Sequence, residues 1–353
     1  MTADGVSDFT SALFLGFRHA SASLPAWSAL TTGVPAVLRE AAGARQVGAA
    51  VAASQGAQSG IVARSTLHAL TDVLGALSRR GDVVAVDTAS YPITTTAVLT
   101  AAAKGAIVWR YPHHRPGRLT VPPGRRLLVV TDGWCPGCNR PAPLPELRRL
   151  ARACGGAVVV DDSLAFGVLG GQAQGGSFGD GTGTPRWVGV DHTGIIWVAS
   201  MAKAYGAPLA VTTGDRDTIE LLAREGGNRI HSSPPSAADL ATATTALSDL
   251  WAGRVRRARL EATVRRLRAA LREAGLPVNG LPFPLVSIPL PSTSEGRRWW
   301  YWLRDRGLRT VVQDPRCRAG ALLSLLVRAD HSDRDIDRLV AELRALARLR
   351  VTA

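Results

Sequence analysis

Lys203 sits in the stretch Trp197-Val198-Ala199-Ser200-Met201-Ala202-Lys203-Ala204-Tyr205-Gly206, and the only other lysine is Lys104, so nearly all of the 42 basic residues are arginine. A chain that writes its positive charge as arginine retains lysine where an amine able to lose its proton is required. Lysine can form a Schiff base and arginine cannot. Position alone leaves a surviving surface lysine open as the alternative. The apolar run Ile195–Ala199 predicts a buried strand, and Ser200 to Gly206 the turn that presents Lys203 at its end. Asp161 closes the run Ala157-Val158-Val159-Val160 in the same manner. Strand ends of one α/β sheet are where such a fold places its chemistry, so the two side chains support each other.

The elements that must position them alternate along the chain. Strands are expected at Val83–Asp87, Ile107–Tyr111, Leu127–Thr131, Ala157–Asp161, Ile195–Ala199 and Leu209–Thr213, with helices such as Thr94–Ala103 and Leu144–Ala153 between them. This predicts a mostly parallel sheet covered on both faces. Leu67, Leu70, Leu74 and Leu77 fall at helical spacing behind Ser65-Thr66, and the free N–H groups of such a helix start suit an anion, although an ordinary N-cap reads the same. Residues 1–50 read as an N-terminal arm with a short helix at 36–42, residues 51–255 as the large domain, and residues 256–353 as a small α+β domain. The small domain carries strands at Phe283–Leu290 and Leu322–Val327, a helix at Arg297–Arg306, and a capping box at Ser332–Asp335 opening the last helix. Gly170–Gly183 reads as a mobile surface loop, with a lid over the site and passive disorder equally open.

The length supports a large domain plus a smaller one. No run of about 18 apolar residues occurs and the N-terminus carries Asp4 and Asp8, so a soluble, cytoplasmic protein is expected. The net charge of +14 raises a nucleic-acid partner, but much of it lies at Arg254, Arg256, Arg257, Arg259, Arg265, Arg266, Arg268 and Arg272. There Leu260, Val264, Leu267 and Leu271 mark the buried stripe of an amphipathic helix, which favours a solvated face over a binding patch. Four cysteines, Cys135, Cys138, Cys154 and Cys317, are too few for a secreted disulfide framework. Cys135-Pro136-Gly137-Cys138 is compatible with a redox pair, half of a zinc site or a structural role. No second CxxC or His pair at finger spacing accompanies it, so no metal ligand set is assigned. Trp299, Trp300 and Trp302 are compatible with a hydrophobic substrate pocket, although packing is the commoner use of such a helix.

With these residues in hand, the chain resembles the fold-type I pyridoxal 5'-phosphate (PLP) enzymes of the aminotransferase class I/II fold, and more narrowly the α-oxoamine synthases, which implies a large domain with a mostly parallel seven-stranded sheet and a small C-terminal α+β domain. Asp161-Asp162-Ser163-Leu164-Ala165-Phe166-Gly167-Val168-Leu169-Gly170 is similar to their Asp-Glu-Ala-His-Ser-x-Gly-x-x-Gly segment, and Ser200-Met201-Ala202-Lys203 to the hydroxyl-x-x-Lys that carries the cofactor. Asp132-Gly133 through Ala142-Pro143-Leu144, Ser232-Ser233-Pro234-Pro235 and Ala329-Asp330-His331-Ser332 continue the likeness in order from about residue 50 to the end. The resemblance implies Lys203 as the Schiff-base lysine, Asp161 as partner of the pyridine nitrogen and Tyr91 stacked on the ring. It further implies Ser65, Thr66, Leu67 and Ser200 around the phosphate, Ser163 and Leu164 beside the cofactor, and Ser232 or Ser233 reaching it from a neighbouring subunit of a homodimer.

The departures bear on the reaction. Leu164 and Tyr91 stand where the family has histidines, and Pro136 falls near its serine. Leu322 and Ser324 occupy the strand positions of the carboxylate-binding arginine, which leaves Arg316, Arg318 or Arg328 as displaced contacts, or a substrate without a free α-carboxylate there. The expectation is a PLP-dependent transferase acting on an amine or amino acid, with carbon–carbon bond formation from an acyl thioester first. An aminotransferase is the second reading, and a non-catalytic basic binding protein the third.

Overall fold

The computed structural model describes residues 5–171 and 177–351. Seven strands form the central sheet: β1 (Ser59–Ala63), β2 (Val83–Asp87), β3 (Ile107–Tyr111), β4 (Leu127–Asp132), β5 (Ala157–Asp161), β6 (Ile195–Ser200) and β7 (Ala210–Gly214), in the order β1-β7-β6-β5-β4-β2-β3. Neighbours from β6 to β3 are parallel, and β7 runs antiparallel to both β1 and β6. Parallel strands need crossover helices, and helices on both faces explain why β2, β4, β5 and β6 are continuous apolar runs. Side chains alternate between two buried clusters. Ala85, Val129, Val158, Val160 and Trp197 face one side, while Val84, Val130, Val159, Ile196 and Val198 face the other. The second face is covered by α2 (Thr66–Leu77) and α3 (Pro92–Ala103) through Leu70, Leu74, Ala97 and Ala101. The first receives α1 (Ala44–Gln55) and α4 (Leu144–Ala153) through Val47, Val51, Leu144 and Leu147.

After α5 (Arg216–Glu225) and α6 (Ala237–Ser248), α7 (Leu250–Glu273) leads into a smaller C-terminal domain. Here β8 (Leu285–Leu290), β10 (Ala321–Leu326) and β9 (Val311–Gln313) pair antiparallel in that order, beside α8 (Thr293–Arg304) and α9 (Asp333–Val351). The capping box before α9 forms as expected: Ser332 N donates to Asp335 Oδ2 at 2.9 Å, and Asp335 N donates to Ser332 Oγ at 3.2 Å. Positions 50 and 255, expected as boundaries, both fall inside continuous helices, α1 and α7.

Several expectations are corrected. No helix covers 36–42; residues 36–38 form a single turn in which Leu38 N and Arg39 N donate to Pro35 O, while Ala36 N and Val37 N donate to Ser232 O and Arg229 O and no further helical rung follows. The N-terminal arm docks on the small domain. Ser7–Asp8 pairs with Leu308–Arg309, Phe9 packs on the His331 ring at 4.3 Å, and Phe14 and Leu15 are fully buried. The α7 stripe of Leu260, Val264, Leu267 and Leu271 is fully buried as expected, but Arg268 on the same helix is buried too. Its guanidinium donates to the carbonyls of Asn279, Gly280 and Leu281, an arrangement set by a loop that the helical period does not reveal. Within Gly170–Gly183, residues 172–176 lie outside the described residues. The described flanks are packed rather than surface loop: Phe178 is buried with its N–H on Glu261, and Gly183 N donates to Leu169 O. Trp299 is core, while Trp300 and Trp302 donate to Thr310 O and Glu342, so none of the three lines a substrate pocket.

Candidate active site

A cavity of about 240 Å³ lies at the C-terminal edge of the central sheet, walled on its other side by the small domain. Asp132 and Asp161 end β4 and β5 in direct register, and Lys203 follows β6 by three residues. These three line the cavity with Tyr91, Ser163 and Leu164. Leu285, Val311, Gln313, Ser324 and Leu326 come from the small sheet, and Ala12 from the N-terminal arm, with Trp134 and Pro136 completing the wall. The sheet places two carboxylates and one amine together because all of β4, β5 and β6 point the same way.

Asp161 is held by its neighbours. Its Oδ1 accepts from Ser163 N at 3.0 Å and Ser163 Oγ at 2.5 Å, and that hydroxyl oxygen accepts from Ser200 N at 3.0 Å, tying the β5 end to the β6 end. The two bonds from Ser163 engage Oδ1, which leaves Oδ2 open to the cavity that Asp161 lines. Burial pushes the Lys203 amine below the ordinary lysine range, against the pull of Asp161 and Asp132. Burial, and then the Asp161 charge, push Asp132 well above the usual carboxylate range. Its oxygens accept from Tyr91 N at 2.8 Å and Thr94 Oγ1 at 3.3 Å, which fixes the start of α3 and with it the half-exposed Tyr91 ring. The Lys203 turn is set by close packing. Gly167 (φ +84°) lies where an added Cβ would sit 2.6 Å from the Ala204 Cβ, so a side chain there would displace the turn.

The remaining predicted residues are dispersed. Ser65 caps α2, accepting from His68 N at 3.4 Å and bonding His68 Nδ1 at 2.8 Å, while the first-turn N–H groups of Thr66 and Leu67 have no intrahelical acceptor. Ser65, Thr66, Leu67 and Ser200 are outside the lining of the Lys203 cavity. They nevertheless share its sheet edge, because Ala63 pairs with Ala210 and Ala210 with Ser200. Ser232 and Ser233 line a separate small cleft with Arg64, His68 and Arg229. None of the three candidate arginines lines the cavity. Arg316 donates to Ser90 O at 2.8 Å, Arg318 to Asn279 Oδ1 at 3.4 Å, and Arg328 is buried in an ion pair with Asp330 at 2.8 Å while donating to Asp8 O. Arg328 is therefore a fastener of the N-terminal arm. At the strand positions of the expected arginine, Leu322 is core, and Ser324 bonds Ser287 Oγ at 3.0 Å and accepts from Gln313 Nε2 at 2.7 Å. Asp132, Gln313 and Ala12 were missed by the sequence reading. Asp132 alone carried a signal, as an acid closing an apolar run like Asp161.

A lysine with a depressed pKa, a fixed carboxylate with one oxygen open to the cavity and a helix N-terminus on one sheet edge are the donor set that PLP requires, so the residues present fit the cofactor. Among the described residues, no helix is long and apolar enough to cross a membrane. An 8-amino-7-oxononanoate synthase of Halorhodospira halophila is 34% identical over 307 residues, covering 85% of this chain and 74% of the relative. Its counterpart in Alkalilimnicola ehrlichii is 32% identical over 282 residues, covering 77% and 68%. Among solved structures, a variant serine palmitoyltransferase from S. paucimobilis with a bound PLP–myriocin aldimine superposes with a TM-score of 0.85 at 20% identity, covering 99% of this chain and 89% of that one. An 8-amino-7-oxononanoate synthase from Francisella tularensis gives 0.77 at 18%, covering 99% of both. The family model described as aminotransferase class I and II matches residues 38–343, and the chain belongs to that family as a PLP-dependent transferase of the fold-type I architecture.

Proposed function

We propose that this protein joins an amino acid or amine to the acyl group of a thioester, forming a carbon–carbon bond, as a homodimer in the cytoplasm. The observation that carries the reading is one cavity in which Lys203 and Asp161 face a wall of Leu164, Leu285, Val311 and Leu326, with no arginine among its lining residues. Such a wall suits an acyl chain better than a second carboxylate, since burying an unpaired anion is costly. Bound PLP supplies an electron sink for a carbanion at the carbon bearing the amino group. Lys203 Nζ would hold the cofactor and then take and return the proton at that carbon; its depressed pKa keeps a fraction of the amine neutral for this work. Asp161 Oδ2 would accept the pyridinium N–H, with Oδ1 locked by Ser163. Ser65, Ser200 and the N–H groups of Thr66 and Leu67 would bind the phosphate, and Tyr91 would cover the ring. Ser232 and Ser233, in their separate cleft, suit a contribution to the partner's phosphate site. Four free cysteines accord with a reducing compartment.

The test incubates PLP-loaded protein with a panel of amino acids, with and without acyl-coenzyme A thioesters of increasing chain length. Release of free thiol that requires both substrates is expected, with no keto acid formed from the amino acid alone. Keto acid released from the amino acid without thioester, with a second keto acid taking up the amino group left on the cofactor and becoming an amino acid in turn, would replace this reading with an aminotransferase.

A further inference from the structure

Outside the catalytic cavity, four soft donors converge from three distant parts of the chain. Cys135 and Cys138 come from the hairpin of Trp134–Cys135 and Arg140–Pro141, His113 from the segment after β3, and Cys317 from the small-domain segment between β9 and β10. Their ligand atoms all lie within 4.8 Å of one another, and His113 Nε2 is 3.4 Å from Cys138 Sγ. With Zn–S near 2.3 Å and Zn–N near 2.0–2.1 Å, the edges of a tetrahedron are about 3.5–3.8 Å, so this contact has the length of a ligand–ligand edge. We propose that His113, Cys135, Cys138 and Cys317 bind one structural Zn²⁺ ion, which clamps the small-domain segment 314–320 against the large domain beside the catalytic cavity.

The surroundings are built for such an ion. Asp87 Oδ1 contacts His113 Nδ1 at 2.9 Å, and Asp87 also accepts from Ala89 N and His114 N. A carboxylate on Nδ1 fixes the tautomer that leaves the Nε2 lone pair facing the sulfurs, the usual outer partner of a ligating histidine. The CxxC turn is equally fixed. Asn139 (φ +51°) donates its N–H to Cys135 O at 2.9 Å, and its buried side chain donates to Leu285 O and accepts from Trp134 Nε1. Gly137 is required for the approach of Cys317, because an added Cβ would sit 2.5 Å from Cys317 Sγ. Three thiolates and an imidazole select a soft, tetrahedral ion, and four protein ligands leave no open position, which makes the site structural rather than catalytic. The clamp bears on the proposed reaction through position: Pro136, between the ligand cysteines, and Gln313, just before the clamped segment, both line the catalytic cavity. No electron transfer is involved, since binding only exchanges thiol protons for the metal.

The test uses full-length protein expressed with added zinc sulfate, purified under reducing conditions and dialysed against EDTA at neutral pH. Elemental analysis should find about one zinc per chain, as a closed four-ligand site implies. Cys317→Ser and His113→Gln should lower it at least several-fold, while Cys154→Ser, outside the cluster, should retain it. Cobalt added to demetallated wild-type protein should give the intense visible bands of a tetrahedral thiolate site, a readout that does not depend on the variants folding. Wild-type protein that takes up neither zinc nor cobalt, or whose intact mass under non-reducing conditions shows a Cys135–Cys138 disulfide instead, overturns the proposal.

Discussion

At the scale of single residues, the carboxylate of Asp161 is fixed by two hydrogen bonds from Ser163. Ser163 holds one oxygen, and the other is the one proposed to accept from the cofactor. Asp161→Asn keeps the shape and the Ser163 N–H bond but removes the charge that stabilises a protonated pyridine. Losing one such preorganised electrostatic contact should lower turnover by about 10²–10³-fold. Lys203 does not depend on that charge for attachment, so borohydride treatment of the PLP-loaded variant should still place a pyridoxyl label on the peptide containing Lys203. A label on Lys104, or an Asp161→Asn enzyme with near wild-type turnover, would remove these assignments. The placement of Lys203 and Asp161 in one cavity was legible in the sequence because Asp161 closes an apolar run and Lys203, one of only two lysines, sits in the turn that follows another. Asp132 likewise closes an apolar run at the end of β4 and sits in register with Asp161.

Among elements, the joint between β5, β6 and the short helix Thr184–Trp187 rests on Asp162, which is fully buried. Its Oδ2 accepts from Thr184 N at 2.7 Å and Trp197 Nε1 at 3.0 Å. Burial nevertheless outweighs these bonds and pushes the carboxyl up to about 6. Because the folded value is raised above the unfolded one, the native state binds the proton more tightly. The stabilisation is fully present below the unfolded value near 3.8 and is lost as pH rises through about 6. Wild-type protein should therefore gain on Asp162→Asn as pH falls from 7.5 to 4, by up to about 3 kcal/mol for a shift of roughly two pH units. Urea midpoints of both proteins across that range measure it, and a difference independent of pH would show that Asp162 does not titrate in this window. Helix 36–42 is the instructive failure among the elements. The stretch makes a single turn closed on Pro35 O by Leu38 N and Arg39 N, and no further rung of a helical ladder follows before Ala44.

For the whole molecule, the chain carries a net charge of +14, and several of the α7 arginines that contribute to it are engaged within the chain. On α7, Arg256 donates to the carbonyls of Leu15 and Gly16, Arg265 pairs with Glu261, and Arg266 contacts Asp333 and Asp337. Arginines engaged this way release few counterions from a duplex, so binding to DNA should be weak and vanish at moderate salt. Meanwhile Trp27, Leu30, Val37 and Leu38 leave apolar side chains exposed in one stretch of the N-terminal segment, which accords with burial against a second copy. Sedimentation of the protein with fluorescent duplex DNA over a salt series reads both. A species of two chains should persist at every salt concentration, with DNA sedimenting free above about 0.15 M. DNA comigrating at high salt would favour the binding-protein reading, and a monomer would remove the dimer.

What the amino-acid order determined by itself is what depends on near neighbours. The parallel strands, the Leu144–Ala153 helix, the α7 stripe and the turn carrying Lys203 all follow from periodicity and turn chemistry within a dozen residues. Tertiary structure decided which distant segments meet. Ala12, Gln313 and Ser324 join Lys203 in one cavity, Arg328 is drawn away to hold Asp8 and Asp330, and Cys317 with His113 completes a cluster of which the sequence displays only the CxxC half. These meetings depend on strand order, on the register of Asp132 with Asp161, and on the docking of the small sheet over the large one. Long-range packing fixes them, and no local spacing along the chain encodes where a residue 180 positions away comes to rest.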